Sequence, residues 1–247
     1  MEISKILDDT AFELIQLMES SRWGYKHYWH LQGFRIHETF RILLDKISNL
    51  SDPCILDVGC NPPFLTATLT KLKIDCLGVD LCPESFVDVT DKYNLSVIQA
   101  DIEQERIPLE DESYDVVILT EVFEHLRINP IHTCSEMYRL VKPGGFLLLS
   151  TPNLHSVNGI YNFLFKGQAY TCTTNSIYDE FDLLNKFGFF GHMREYTWQE
   201  VESFLIRIGF KTVHTQFLGG ASLRPYLKPL YSMFPKLKPI VHFVAYK

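Results

Sequence analysis

Cys54-Ile55-Leu56-Asp57-Val58-Gly59-Cys60-Asn61-Pro62-Pro63 is the stretch on which the interpretation of this 247-residue chain turns. A β-rich apolar run ends in a glycine and passes directly into FLTATLTKLK (64–73), a helical pattern. A tight strand-to-helix turn of this kind, at the carboxyl end of a strand, is where doubly wound α/β sheets bind nucleotide-like ligands. A dinucleotide turn aims bare amides at a pyrophosphate, and Asp57, two residues before Gly59, would repel that anion. A ligand carrying positive charge is attracted instead. Asp80, at the end of the next β-run, is placed to accept from both hydroxyls of a ribose.

Working outward, β-rich runs alternate with helical patterns. CLGVD (76–80) precedes PESFVDVTDKY, LSVIQA covers 95–100, and YDVVILT (114–120) precedes EVFEHL. A helix around IHTCSEMYRLV, the turn KPGG and the wholly apolar FLLLST (146–151) follow. Such alternation predicts parallel strands covered on both faces. Thr197-Trp198-Gln199-Glu200 is a capping box that opens a helix to Arg207, stopped by Gly209. FKTVHTQF and PIVHFVAYK are two closing strands, and residues 3–19 and 33–48 are predicted helices ahead of the sheet. The dense aromatic segment SRWGYKHYWH between those helices suits either a pocket cap or ordinary packing on the sheet.

Composition narrows the class. With 23 Lys+Arg against 30 Asp+Glu and 46% hydrophobic residues, the chain is a globular protein with one sizeable core, not a disordered, collagenous or disulfide-stapled one. A net charge of −7 without a basic cluster makes nucleic acid an unlikely partner. Six cysteines (Cys54, Cys60, Cys76, Cys82, Cys134, Cys172) form no CxxC pair, as expected of free thiols in a reducing compartment. The acidic amphipathic start lacks the features of a secretion signal, and no apolar run approaches the ~20 residues of a membrane span, so the expected location is the cytoplasm.

LDVGC, GVD, QADIE, SYDVVILTEVFEHL and KPGGFLLLSTPN, in this order and spacing, resemble the successive motifs of class I S-adenosylmethionine-dependent methyltransferases. The resemblance is close over 54–153, and REYTWQEVESFLIRIGF with a closing hairpin extends it. It implies a Rossmann-like, doubly wound seven-stranded α/β sheet of order 3-2-1-4-5-7-6, strand seven antiparallel. The chain would then be one domain: a helical cap (1–50), a cofactor-binding core (51–153), a substrate lid (154–196), and a C-terminal helix and hairpin (197–247). By the same resemblance S-adenosylmethionine is the cofactor, with Gly59 and Cys60 at its methionine part; Asp57, by its charge, and Asn61 are further candidate cofactor-binding residues. Asp80 and Leu81 would lie at the ribose, Asp101 and Ile102 at the adenine, and Thr120 and Glu121 on the floor. Arg35 matches the place where related enzymes hold the methionine carboxylate; a surface helix charge is the alternative. Asn61-Pro62-Pro63 departs from the usual glycine-rich turn. Asn tolerates a left-handed backbone, and Pro63 is acceptable in a first helical turn.

Glu121-Val122-Phe123-Glu124-His125, if helical, puts two carboxylates and an imidazole on one face at the mouth of the site. Acidic residues also suit a helix's first turn without any ligand. ExxEH with a later histidine is similar to the metal set of small-RNA terminal 2'-O-methyltransferases and recurs in ubiquinone-pathway O-methyltransferases. Glu121, Glu124, His125 and His192 are therefore candidate ligands for a divalent metal. The alternative is a metal-free His125 acting as acid, base or in packing; with a hydroxyl acceptor the expected catalytic residue is His125 as general base, with Glu124 beside it.

The 152–196 segment, with Tyr161, Phe163, Phe165, Tyr170, Tyr178, Phe181, Phe187, Phe189 and Phe190, is expected to form the lid over an apolar or ring-bearing small molecule, or else a satellite core. In the 224–239 excursion Lys228, Lys236 and Lys238 interleave with Tyr226, Leu227, Leu230, Tyr231, Met233 and Phe234, a pattern that suits a peripheral membrane contact, a dimer edge or a core-facing helix. The function expected is methyl transfer to a small-molecule hydroxyl. A metal-assisted RNA-end methyltransferase and a non-catalytic binding protein of the same fold are the alternatives.

Overall fold

The computed structural model describes residues 2–18, 24–168, 177–187, 191–219 and 225–247; Tyr170, Cys172, Phe189, Phe190 and Arg224 lie outside the described residues. In chain order the elements are α1 (Glu2–Leu17), α2 (Tyr25–Ile47), β1 (Cys54–Val58), α3 (Phe64–Lys71), β2 (Asp75–Asp80), α4 (Val87–Tyr93), β3 (Ser96–Gln99), β4 (Tyr114–Thr120), α5 (Pro130–Leu140) and β5 (Val141–Pro152). Then come α6 (Val157–Tyr161), α7 (Ile177–Phe187), α8 (Trp198–Ile208), β6 (Thr212–Leu218), α9 (Lys228–Met233) and β7 (Ile240–Tyr246). The sheet has the order β3-β2-β1-β4-β5-β7-β6. The first five strands are parallel, and β7 runs antiparallel to both β5 and β6.

Strand alternation divides the core into two layers. Leu56, Val117, Leu147 and Leu149 pack with Met137 and Leu205 on one face, while Ile55, Val116, Ile118 and Leu148 meet Phe40 and Leu43 of α2 on the other. That two-sided burial is why the strands are apolar nearly throughout. The capping box forms as the residues dictate: Thr197 accepts from the Glu200 amide, the Glu200 carboxylate accepts from the Thr197 amide, and Gly209 ends α8.

Several local expectations are corrected. α2 begins at Tyr25, eight residues before the expected start, because Tyr25 and Trp29, one turn apart, both pack on Phe64 with ring centroids 5.7 and 4.9 Å away. Its register on the sheet is pinned by Thr39 Oγ1, 2.8 Å from Nε2 of the fully buried His242. The KPGG turn lies within β5, whose pairing with β4 shifts register between Tyr114 and Val116. EVFEHL is not an α-helix: only Phe123–His125 form a 3-10 turn, and Glu121 sits at φ +56°. The Glu124 carbonyl accepts the amides of Met193 and Arg194 (2.9 and 3.3 Å), so the α-helical ladder is not continued there. The 152–196 segment is not one long loop, since it holds α6, a π turn at Asn162–Lys166, and α7.

Candidate active site

A cavity of about 500 Å³ opens at the carboxyl ends of β1, β2 and β4, the place where a doubly wound sheet leaves a crevice. Gly59 makes its tight floor. Its φ is +72°, and a Cβ there would lie 2.5 Å from Val122 Cγ2, so the turn requires glycine on both counts. Asn61 is not left-handed, contrary to the reason given for tolerating it. It serves through its side chain: Oδ1 accepts from the Tyr25 hydroxyl at 2.7 Å, joining α2 to the turn. Pro62 is part of the cavity wall and Pro63 caps α3, so the two rings shape the space without filling it.

Arg35, Gly59, Asn61, Asp80, Leu81, Asp101, Ile102, Thr120 and Glu121 all line this cavity. Asp57 and Cys60 do not. Asp57 is 4% exposed and turns under the floor, where it accepts from Thr66 Oγ1 at 2.6 Å. Cys60 packs its sulfur against β2 at Gly78. The positive ligand inferred for this site therefore meets the field of Asp57 through the turn and not its oxygen atoms. Burial, with the Asp80 charge adding and the Thr66 bond opposing, raises the Asp57 carboxyl to about 6.

Asp80 accepts the amides of Asn61 (3.1 Å) and Cys82 (3.0 Å), one on each oxygen. Asp101 is engaged similarly, by the Glu103 amide at 3.0 Å and by Gln104 Nε2 at 2.6 Å. From above, α2 contributes Tyr28, Gln32 and Arg35. Their i, i+4, i+7 spacing forms one helical face. Tyr28 and Gln32 were missed from the sequence; the spacing was visible, but it was hidden by starting the helix at 33.

The mouth is built from the turn after β4 and the chain entering α8. Glu121 ion-pairs with Arg35 and accepts from Ser150 Oγ at 2.7 Å. It is thereby separated from the other proposed metal ligands. Glu124, His125 and His192 do come together, with donor atoms all within 4.8 Å of one another. Glu124 is wholly buried; one oxygen accepts from Thr151 Oγ1 at 3.0 Å, and the other, Oε1, has no hydrogen-bond partner among the described residues. Burial raises its pKa against the pull of His125 and Arg35. His125 Nδ1 lies 2.7 Å from the Gly191 carbonyl oxygen. A carbonyl only accepts, so Nδ1 carries the proton, and in the neutral ring Nε2 keeps a lone pair. The His192 ring stands nearly perpendicular to it at 4.7 Å, and burial together with the His125 and Arg35 charges lowers His192 to about 3.

The described lid aromatics do not line this cavity. Among the described residues of the segment, only Leu184, Gly191 and His192 line it. Tyr161, Phe163, Phe165, Tyr178 and Phe181 are all exposed, forming neither a satellite core nor a cavity wall.

A parallel sheet reversed only at its last hairpin, with a crevice shaped for a nucleoside at β1, β2 and β4, defines a class I methyltransferase fold. Residues 56–149 match the family described as "Methyltransferase domain". The chain is similar to the ubiquinone biosynthesis O-methyltransferase of Aliivibrio fischeri (strain ATCC 700601 / ES114), 30% identical over 159 residues, covering 59% of this chain and 62% of that one. It is likewise similar to the protein of that name from Burkholderia vietnamiensis, 33% identical over 118 residues, covering 44% and 49%. The matches thus span less than two thirds of either relative's length. A solved SAM-dependent methyltransferase from Archaeoglobus fulgidus superposes with a TM-score of 0.58 at 17% identity, over 90% of this chain and 99% of that one, a likeness of fold. Residues 56–149 are thus similar to a methyltransferase domain, and the solved structure extends the likeness of fold over most of the chain.

The cavity fits that family's cofactor: Asp80 has lone pairs to spare, the glycine floor permits close approach, and the prolines leave the space open. A pH dependence follows. A sulfonium is held better by ionised than by neutral Asp57, so binding releases a proton. Affinity for S-adenosylmethionine should therefore rise several-fold as pH rises through about 6. Asp57→Asn should flatten the profile in calorimetric titration; an unchanged profile in that variant would assign the dependence elsewhere.

Proposed function

We propose that this protein transfers a methyl group from S-adenosylmethionine to a hydroxyl oxygen of a small molecule, with His125 as general base. The observation that carries the reading is the His125 ring, held by the Gly191 carbonyl through Nδ1 at the edge of the cofactor cavity, which leaves Nε2 as the nitrogen that can accept a proton. When bound, S-adenosylmethionine supplies an electrophilic methyl group on a positively charged sulfur. Arg35 and Glu121 offer opposite charges to the carboxylate and ammonium of its methionine part, and Asp80 offers acceptors to the ribose. His125 Nε2 takes the acceptor's hydroxyl proton and so exposes the oxygen lone pair. The Glu124 carboxyl lies beside His125, close enough to interact with the imidazolium that results. Alignment and exclusion of water supply the remainder, since little covalent chemistry falls to side chains. The relatives named as O-methyltransferases support oxygen as the acceptor atom. Turnover of a catechol or phenol panel, followed by S-adenosylhomocysteine release, tests this: methylation confined to amines would overturn it.

A second reading rests on the unpartnered Glu124 Oε1. Two imidazoles and a carboxylate fit a divalent cation of the Mn, Fe or Zn type, and His192 is held neutral, as a ligand must be. Such an ion, once bound, would lower the acceptor hydroxyl's pKa and so share the work of the base. Gly191 would then orient the His125 ligand through its far nitrogen. Titration of the chelator-treated protein with Mn²⁺ should show one site that His192→Ala weakens by at least about tenfold. Absence of binding, with activity indifferent to chelator, would leave His125 acting alone.

A further inference from the structure

Positive charge is segregated along this chain. Residues 203–247 contain seven Lys or Arg and no Asp or Glu, which leaves sixteen Lys or Arg against all 30 Asp and Glu in residues 1–202. Four of the seven fall within the 224–239 excursion between β6 and β7. The excursion leaves the sheet at its functional edge. Leu218 at the end of β6 and Pro152 at the end of β5 both pair with Ile240, so it emerges where the parallel strands end and the cavity opens.

Its C-terminal end is bonded to the chain leaving β5. Asn153 donates its side-chain amide to the Lys236 and Lys238 carbonyls, both at 2.9 Å, and its backbone amide to Pro239 O at 2.9 Å. Tyr231 is buried beneath α9, and Lys236 Nζ sits 4.3 Å from the Trp198 ring centroid. Facing outward are Tyr226, Met233 and Phe234, exposed by 74, 71 and 51%. A core-facing helix would have buried them. From the same edge, directly after β5, Tyr161, Phe163, Leu164 and Phe165 also stand exposed by half or more.

We propose that this edge docks on an anionic lipid bilayer, with Tyr226, Met233 and Phe234 in the interfacial layer and Lys228, Lys236 and Lys238 against the head groups. Lysines interleaved with exposed aromatics, unneutralised by any acid of their own segment, complement a negative surface carrying an apolar interior. A second copy is the poorer occupant. A two-fold interface brings the same patch against itself and so sets like charges face to face. Among the described residues no helix is long and apolar enough to cross a membrane, so attachment of this kind is peripheral. The inference goes beyond the methyl-transfer reading and does not depend on it.

The intact chain is tested by co-sedimentation with vesicles of phosphatidylcholine alone and of phosphatidylcholine mixed with phosphatidylglycerol. Partition into the anionic vesicles and not the neutral ones, declining as salt is raised, is the expected result. Replacing Lys228, Lys236 and Lys238 by Gln should weaken it about fivefold for each lysine removed. Tyr226→Ser, Met233→Ser and Phe234→Ser together should weaken it at low salt too, with S-adenosylhomocysteine affinity unchanged in both variants as evidence of an intact fold. Equal partition into neutral and anionic vesicles, no partition into either, or a dimer that the serine variant dissociates in the absence of lipid binding would each overturn the proposal.

Discussion

His125→Ala abolishes methyl transfer and leaves S-adenosylhomocysteine affinity within a few-fold of wild type. A positioned general base contributes about 10²–10⁴-fold, so turnover should fall by at least the lower figure and in practice below detection for a weakly acidic hydroxyl. Affinity is spared because the adenosine and methionine contacts belong to other residues: Asp80, the Gly59 turn, and the Arg35–Glu121 pair. The substitution also removes the bond to the Gly191 carbonyl, a loss of about 1 kcal/mol in the chain that enters α8. Thermal unfolding of the variant therefore accompanies the rate measurement. A variant that folds, binds cofactor and turns over at the wild-type rate would remove His125 from the mechanism.

Asp80→Ala should weaken S-adenosylhomocysteine binding by more than about a hundredfold. A carboxylate has about four acceptor positions. The Asn61 and Cys82 amides take two on Asp80 and the Leu81 amide also bears on it, while the residue lines the cavity. Two charge-assisted bonds to ribose hydroxyls are worth at least ~3 kcal/mol together, and each 1.4 kcal/mol is about tenfold in affinity. Alanine also releases two amides that hold the turn, which adds to the loss. Asp80→Asn, keeping one acceptor oxygen, should fall between the variant and wild type in calorimetric titration. Equal affinity in all three proteins would mean that the ribose does not rest on β2.

The sheet was legible because its causes are local. Strands buried on both faces must be apolar throughout, and each is followed by a helix or turn signal within a few residues, so the apolar runs located β1 to β4 and the end of β5 to within about two residues before any contact was known. The capping box at Thr197 was equally plain, since all of its bonds are made within four residues. The start of α2 was not. Its first two turns are helical because Tyr25 and Trp29 find Phe64, a residue far along the chain.

The same division runs through the site. Residue types and spacing along the chain determined by themselves that β1 ends in a glycine turn, that an acid closes β2, and that carboxylates and an imidazole cluster after β4, because each is a statement about neighbours in sequence. Only the tertiary structure decided which of those groups meet. Glu121 is drawn to Arg35 of α2, while Glu124 and His125 are drawn to His192 and Gly191 from the chain entering α8. Asp57 turns away beneath Thr66, and Tyr161, Phe163, Phe165, Tyr178 and Phe181 of the expected lid are exposed. Ion pairs and buried hydrogen bonds form between groups that folding brings within a few ångströms, and that separation depends on how helices pack across the sheet, which no short stretch of residues encodes.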